Sequence, residues 1–404
     1  MTLTDPRKVA EIMLSWLDLQ LVTCVELQSL WAGYGHICAI TARPSKTGTS
    51  YHPKELILKL IAPPGNPRAM DEGHLRKMLS YEVEQVFYRD IAPSLGPDAA
   101  VAECLASTAN MHGLPRAEEL HGLTATLMTD LRPAFPVAGE KRAVLSDRQV
   151  YAAIGWLASF HRQSWETPRG ELIRYLLPPI EEEERRRTGT TRGDKLWLNG
   201  GYTYLATRRK EYGSLLRDRS SEWSHAFCDP FEDLNMSLAE AVATFLTPRG
   251  RPYETLIHGD VKSENLFTTT SGDAVAFFDF QYVGLGLGAC DLAKLFTCSV
   301  PFSMLTDCPS LPARLPMGDG EADLLRRYND SLLGGGQQYA WEEFVRHWET
   351  ALVDWCRFQA SWGFWGNTEW LEARTRHVLA DEGWRTWLRG EVNGEDKGEG
   401  VEER

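Results

Sequence analysis

The chain has 404 residues, more than one hydrophobic core usually holds, so two lobes are expected rather than one compact unit. Hydrophobic residues make up 43% of the sequence, charged residues make up 25%, and the formal net charge is −13. No apolar run is long enough to span a membrane, so these values exclude a disordered chain and a membrane span. The negative charge disfavours a nucleic-acid partner, whose phosphates need a basic surface.

The eight cysteines are scattered without any Cys-x-x-Cys pair, and several lie within apolar runs, as buried free thiols do. The first twenty residues contain acidic side chains and no small-residue cleavage site, so they do not resemble a secretory signal. Both features predict a reducing, cytoplasmic location.

The first third of the chain predicts a small lobe of sheet plus helix over residues 1–130. Residues 22–60 alternate short apolar runs with Gly, Pro and Ser clusters, as antiparallel strands and turns do, and 56–60 is the clearest strand. From 71 to 91, apolar residues recur every three to four positions, which predicts an amphipathic helix. A strand pair follows and ends in residues 123–131.

The rest of the chain predicts a larger, mainly helical lobe over residues 131–390. Residues 146–165 have the pattern of one strong helix, and 321–388 is rich in helix formers. The charged run 181–187 is typical of a solvated helix face. The residues after 390, rich in Gly and Glu, predict a disordered tail over 391–404.

Polar residues that can carry chemistry follow two apolar strands, in segments 256–267 and 276–281. Asp260 can accept a proton from a hydroxyl group, and Asn265 and Asp279 can hold Mg²⁺ through hard oxygens. An isolated His-x-Asp is more often a hydrogen-bonded turn, but the companion residues at set offsets favour the catalytic interpretation. A metal hydrolase is disfavoured because no His or Cys cluster with ligand spacing occurs.

The His-Gly-Asp at 258–260 and the Asp-Phe-Gln at 279–281 resemble the motifs of the aminoglycoside phosphotransferase and choline kinase-like superfamily. Protein kinases have Arg in place of Gly259 and Gly in place of Gln281. Asp291 also matches that superfamily's next Asp-led helix. The resemblance implies a bilobal, protein-kinase-like α+β fold that uses ATP and Mg²⁺ to phosphorylate a hydroxyl group of a small molecule.

A lysine and a glutamate of the first lobe should form an ion pair that positions the ATP phosphates. Lys59 lies in an apolar strand, where an unpaired charge is costly. Glu84, four residues ahead of Tyr88, resembles the superfamily's pattern, and Glu82 is the rival partner. An edge-strand lysine facing water is the alternative for Lys59.

Other candidates for ATP binding are backbone groups. Gly33 and Gly35 lie between two strand-like stretches and could bring amides up to the phosphates, although an ordinary hairpin turn fits them equally well. Groups near Met128 to Asp130, on the strand that runs into the hinge, would meet adenine.

Three further residues near the catalytic segment have expected roles. Lys262, two residues past Asp260, occupies a position where protein kinases often have a lysine facing the γ-phosphate, and a solvent-facing loop lysine is the alternative. His258 and Asp291 are expected to be structural at the site. His161, in a Leu-Ala-x-x-His sequence, is expected to be a packed structural histidine.

Four tryptophans recur every seven residues from 341 to 362, and most of them should be core. The Trp-Gly-x-Trp at 362–365 resembles a stretch in choline kinases, and aromatic faces bind ammonium groups. Choline, ethanolamine or another cationic or hydroxylated metabolite is therefore a candidate acceptor, with Asp354, Glu369 and Glu372 as candidate acids. A protein kinase and a catalytically silent nucleotide-binding scaffold are the alternative functions.

Overall fold

The structure is a computed structural model, which describes residues 5–30, 33–45, 53–63, 71–166, 175–189, 196–332 and 339–394. It begins with helix α1 (Pro6–Ser15) and a five-stranded antiparallel sheet in the order β1-β2-β3-β5-β4. The strands are β1 (Leu19–Ser29), β2 (Gly35–Pro44), β3 (Lys54–Ile61), β4 (Cys104–Ser107) and β5 (Thr124–Thr129).

Both faces of strand β3 are covered, which explains why its sequence is a nearly continuous apolar run. Leu56, Leu58 and Leu60 share one hydrophobic cluster with the apolar side of α1. Side chains alternate between the two faces of a strand, so Lys59 points to the opposite face. Helix α2 (Glu72–Val86) covers that face and continues into a π-helical turn over Phe87–Ile91.

The remaining described residues are mainly helical and enclose a second, larger core. Their helices are α3 (Asp147–Glu166), α4 (Pro179–Arg187), α5 (Arg209–Arg217), α6 (Glu222–Cys228), α7 (Leu238–Leu246), α8 (Ala289–Cys298), α9 (Phe302–Leu305), α10 (Asp319–Leu332), α11 (Trp341–Trp362), α12 (Thr368–Leu379) and α13 (Glu382–Asn393).

Two small antiparallel sheets position the catalytic segment. Strand β7 (Glu254–Ile257) pairs with β10 (Gly284–Leu287). Strand β8 (Leu266–Thr268) lies between β6 (Val137–Ala138) and β9 (Val275–Phe277). The segment 258–265 therefore connects two sheets as a loop, and Asp279 follows the last strand of the second sheet.

The architecture confirms the predicted α+β class, with an antiparallel sheet followed by many helices. Helix α13 runs to Asn393, so the predicted start of a disordered tail at 391 is wrong, and 395–404 lie outside the described residues. The division into lobes at residue 130 stays a prediction. Within the described ranges, no helix is long and apolar enough to cross a membrane.

The charged helix α4 is less solvated than its sequence predicts. Glu182 is buried and bonds both Arg185 and Arg186. Arg186 also contacts Glu82 of α2 at 2.8 Å, so the helix is anchored to the first part of the chain by an ion pair. A single buried glutamate within a run of exposed and half-buried charges has no signal in composition alone.

Candidate active site

Lys59 joins the first part of the chain to the catalytic part. Its Nζ lies 2.6 Å from Oε2 of Glu84 on α2 and 2.9 Å from Oδ1 of Asp279. Glu84, not Glu82, is thus the carboxylate that contacts Lys59, and the lysine does not face water, because only 7% of it is exposed.

The pKa values of Lys59, Glu84 and Asp279 are shifted in different directions by their shared environment. Burial alone would lower the pKa of Lys59, but Asp279 and Glu84 outweigh it and raise the pKa. Burial raises the pKa of Glu84 to about 7, against the attraction of Lys59. Burial also opposes ionisation of Asp279, but Lys59 and Lys262 outweigh it and lower the pKa of Asp279. Of the two carboxylates that share Lys59, Asp279 is the one held ionised, as a metal ligand must be.

The catalytic loop brings Asp260 and Asn265 together. Nδ2 of Asn265 donates to the backbone oxygen of Asp260 at 2.8 Å and to its Oδ2 at 3.1 Å. Lys262 Nζ lies 3.1 Å from Asp260 Oδ2 and 3.1 Å from Glu264 Oε1. Burial would lower the pKa of Lys262, but Asp260 and Glu264 outweigh it and raise the pKa. Lys262 is therefore a charged partner of Asp260 and not a lysine extending freely into solvent.

Asp291 fixes the start of this loop through hydrogen bonds to its backbone. Its carboxylate accepts the backbone N–H of His258 at 2.7 Å and that of Gly259 at 2.9 Å, and it accepts His161 Nε2 at 3.2 Å. Tyr328 bonds the other ring nitrogen of His161 at 2.6 Å. Burial opposes ionisation of Asp291, but the bond from His161 and the charge of Lys294 lower its pKa.

His258 is a fully buried structural ring. Its Nε2 donates to the backbone oxygen of Phe278 at 3.0 Å, and its Nδ1 accepts the backbone N–H of Asp260 at 3.2 Å. These bonds need a neutral ring with its proton on Nε2, and burial lowers the pKa of His258 accordingly. The histidine thus links the loop of Asp260 to the strand end that carries Asp279.

The backbone of Asp279 is in the left-handed region, at φ 67°, which is uncommon for a residue other than glycine. Asp adopts this region more readily than most residues do, and residues held there cluster at active sites and ligand clamps. Gln281 supports this conformation, because its Nε2 donates to Asp279 Oδ1 at 2.5 Å and its Oε1 accepts Ser80 Oγ at 3.1 Å. The Gln281 that distinguishes this motif from Asp-Phe-Gly therefore ties the metal candidate to α2.

The predicted backbone contacts for ATP lie on or next to strands β2 and β5 of the same sheet. The N–H of Gly33 donates to the oxygen of Leu30 at 3.0 Å, as in an ordinary hairpin turn, so this amide is already used. Gly35 lies on β2, where a Cβ would stand 2.0 Å from the oxygen of Leu60. Met128 is buried on β5, and Asp130 is paired with Arg132 at 2.6 Å.

The tryptophans of α11 are mostly core, as predicted. Trp348 is fully buried and donates to Glu321 at 2.8 Å, whereas Trp362 is 47% exposed. The candidate acids Asp354 and Glu372 are engaged, with Arg357 at 2.8 Å and with the indole of Trp223 at 2.9 Å respectively. Glu369 lines a separate groove beside Phe302.

An aromatic cluster, formed by Tyr202, Phe358 and Trp362, lies beside the catalytic loop. The N–H of Tyr202 donates to the oxygen of Gly259 at 3.3 Å, and its ring meets Tyr282 with centroids 4.9 Å apart. The rings of Phe358 and Trp362 are stacked with centroids 5.9 Å apart, and the ring of Tyr202 meets both edge-on, at 6.0 Å and 6.1 Å. The cluster thus contacts the loop at Gly259, the residue that precedes Asp260.

The donor atoms fit Mg²⁺. Asn265 donates through Nδ2, and in the part of the chain that the structure describes its Oδ1 and the Oδ2 of Asp279 accept no hydrogen bond. Two oxygen ligands are what Mg²⁺ usually takes from a protein when phosphates supply the rest. No group of three His, Cys, Asp or Glu that could hold a metal occurs among the described residues.

Three residues of the site were not singled out from the sequence as contributors. Glu264 is a second carboxylate that contacts Lys262, in addition to Asp260. From the sequence, Gln281 is only a departure from the protein-kinase motif. Arg208 lies within the aromatic cluster, and no local pattern marks it. Only Glu264 had an available signal, since it is an acid two residues past Lys262 on a short loop.

A family model, described as the ecdysteroid kinase-like family, matches residues 36–308, which is more than half of the chain. The chain belongs to the ecdysteroid kinase-like family. Membership of this family confirms the predicted class, a small-molecule kinase acting on a hydroxyl group. The matched range includes Lys59, the loop of Asp260 and Asp279. No curated protein matches the chain.

Solved structures that align with this family member include kinases of several small molecules. A macrolide 2′-phosphotransferase from Brachybacterium faecium is 13% identical over 98% of this chain and 99% of its own, with a TM-score of 0.42. A choline kinase from Cryptosporidium parvum is 10% identical over 95% and 91%, with a TM-score of 0.41. An ethanolamine kinase from Plasmodium vivax is 12% identical over 91% and 83%, with a TM-score of 0.38.

Proposed function

We propose that the protein transfers the γ-phosphoryl group of Mg²⁺-bound ATP to a hydroxyl group of a small molecule. The observation that carries this proposal is the meeting of three groups in one site. They are the buried Lys59–Glu84 pair, the strained and ionised Asp279, and the Asp260–Asn265 loop. Phosphoryl transfer needs positioning and charge neutralisation more than covalent help, and these groups supply both.

Each residue has a distinct role in the proposed reaction. Lys59 would bind the α- and β-phosphates, held in place by Glu84. Asn265 and Asp279 would hold Mg²⁺, which neutralises charge on the transferred group when bound. Asp260 would orient the acceptor hydroxyl and take its proton, and Lys262 would face the γ-phosphate. The backbone near Met128 and Asp130 would meet adenine.

The acceptor class is narrower than the reaction class and needs a direct test. The family description points to a hydroxylated steroid. The Trp-Gly-x-Trp at 362–365 points instead to an amino alcohol such as choline or ethanolamine. Both belong in one panel of acceptors, with sugars and aminoglycosides as further compounds that carry hydroxyl groups.

The test is ATP consumption with Mg²⁺ across that panel, compared between the wild type and Asp260→Asn. Turnover with one acceptor class is expected, with a loss of about 100-fold or more in the variant, because general-base catalysis contributes on that scale. Asp323→Asn, an exposed change on α10, is the matched control and should leave turnover unaltered. Phosphorylation of a generic protein substrate instead would support a protein kinase, and ATP binding without any turnover would support a silent scaffold.

A further inference from the structure

The aromatic cluster of Tyr202, Phe358 and Trp362 already contains a cation of the chain itself. The guanidinium carbon of Arg208 lies 3.7 Å from the ring centroid of Tyr202, 5.1 Å from that of Trp362 and 5.6 Å from that of Phe358. All three distances are within the range of about 6 Å over which a ring attracts a cation. The cation-binding faces of the cluster are therefore directed at Arg208.

Arg208 is fixed in this position rather than lying loosely over the rings. Only 1% of its side chain is exposed, and its Nε donates to the backbone oxygen of Tyr202 at 2.7 Å. Glu211 adds a longer ion contact of 3.5 Å. A ligand ammonium could occupy the same place only by displacing a buried, hydrogen-bonded side chain.

A second, half-buried cation lies close to Arg208. Arg76 of α2 donates to the oxygen of Thr207 at 2.5 Å and lies 3.8 Å from Glu72. Burial lowers the pKa of Arg76, and the nearby charge of Arg208 lowers it further. Glu72 and Glu211, the carboxylates that contact these two arginines, are thus each already paired.

We propose that Arg208 is a specificity-determining residue that closes the aromatic cluster to acceptors bearing an ammonium group. An acceptor that meets the cluster does so on the exposed ring of Trp362 and carries no positive charge. This inference rests on the proposed phosphotransfer to a small molecule and names which acceptors are excluded. The net charge of −13 does not reverse it, because charges farther away than about 8 Å are largely screened at physiological salt.

The first test needs no variant. Binding of tetramethylammonium and of choline to the wild-type protein is measured by isothermal titration calorimetry in the absence of ATP. We expect no saturable binding in the millimolar range of either compound. Saturable binding of tetramethylammonium to the wild type, or phosphorylation of choline as fast as of uncharged acceptors, would overturn the proposal.

The second test removes the guanidinium group of Arg208 from the aromatic cluster. Arg208→Ala empties the cluster, so saturable tetramethylammonium binding should appear, with an affinity about 10-fold or more above the detection limit set by the wild type, the scale of a desolvated cation–π contact. Adding Trp362→Ala to this variant should abolish the gain. Arg208→Lys keeps a cation in the cluster, so this variant should not gain affinity for tetramethylammonium. Arg209→Ala changes an exposed neighbour and is the matched control. A folded Arg208→Ala protein, checked by thermal unfolding, that gains no affinity would contradict the proposal.

These binding results are independent of catalysis. If no acceptor is phosphorylated but the affinities follow the expected order, the proposed function fails and the role of Arg208 in excluding cations survives as a binding property. If phosphotransfer occurs and choline is among the good acceptors, the proposed function holds and the role of Arg208 fails.

Discussion

Replacing Lys59 by methionine should leave two buried carboxylates without their shared cation. The contact distances of 2.6 Å and 2.9 Å place the oxygens of Glu84 and Asp279 no more than about 5.5 Å apart. At an effective dielectric constant of about 20, two like charges at that separation repel by about 3 kcal/mol. We therefore expect Lys59→Met to lower the free energy of unfolding by about 3 to 5 kcal/mol at pH 8, the usual range for a broken buried pair.

A second substitution separates structural from catalytic effects. Adding Glu84→Gln to Lys59→Met removes the repulsion, so the double variant should recover at least half of the lost stability. Phosphotransfer should stay at least about 100-fold below the wild type in both variants, because the phosphates lose their cationic partner. Urea unfolding followed by circular dichroism gives the stabilities, and Lys54→Met, an exposed lysine on the same strand, is the control. A double variant no more stable than the single one would refute this reasoning.

The pH dependence of stability follows from the same trio. The folded pKa of Glu84, about 7, lies above its ordinary value, so the folded state binds more protons than the unfolded state between these pKa values. The contribution of Glu84 to stability is therefore fully present below its unfolded pKa and is lost as the pH rises through about 7. Lys59→Met should strengthen this trend, so its deficit should be smaller at pH 6 than at pH 8.

Two further predictions concern the loop and the metal. Asp291→Asn removes a charged acceptor from two buried N–H groups, so it should cost about 2 to 5 kcal/mol in urea unfolding at pH 7. Because the folded pKa of Asp291 is lowered, this contribution is present above about 3.9 and is lost as the pH falls through the folded value; a deficit that does not narrow in acid would contradict the assignment. Asn265→Ala should raise the Mg²⁺ concentration for half-maximal activity at least about 10-fold, and an unchanged Mg²⁺ dependence would remove Asn265 from the metal site.

Much of the site could be predicted because its residues lie at short, fixed offsets. Asp260, Asn265 and Asp279 stand on one loop and the end of the next strand pair, so local sequence nearly determines their proximity. Lys59 could be located because a charge in an apolar strand needs a partner. The choice of Glu84 over Glu82 came from a resemblance, and the structure supports it because Glu82 points to Arg186 instead.

The rest depends on packing between elements that are distant in sequence. Arg208 precedes α5, and Trp362 ends α11, so their contact has no local signature. The aromatic spacing of α11 correctly indicated core, but it could not indicate that the one exposed tryptophan stacks near a buried cation. The end of α13 was also missed, because the helix continues through Glu391 and Val392 into a Gly-rich composition.

The most direct test of the proposed phosphotransfer is to follow the terminal phosphate of γ-labelled ATP, in the presence of Mg²⁺, into a hydroxylated small molecule. We expect a labelled phosphate ester of the acceptor, formed by the wild type and by Asp323→Asn and lost in Asp260→Asn. The proposal is contradicted if the label appears only in inorganic phosphate or on protein. It is also contradicted if the ester forms equally well with Asp260→Asn.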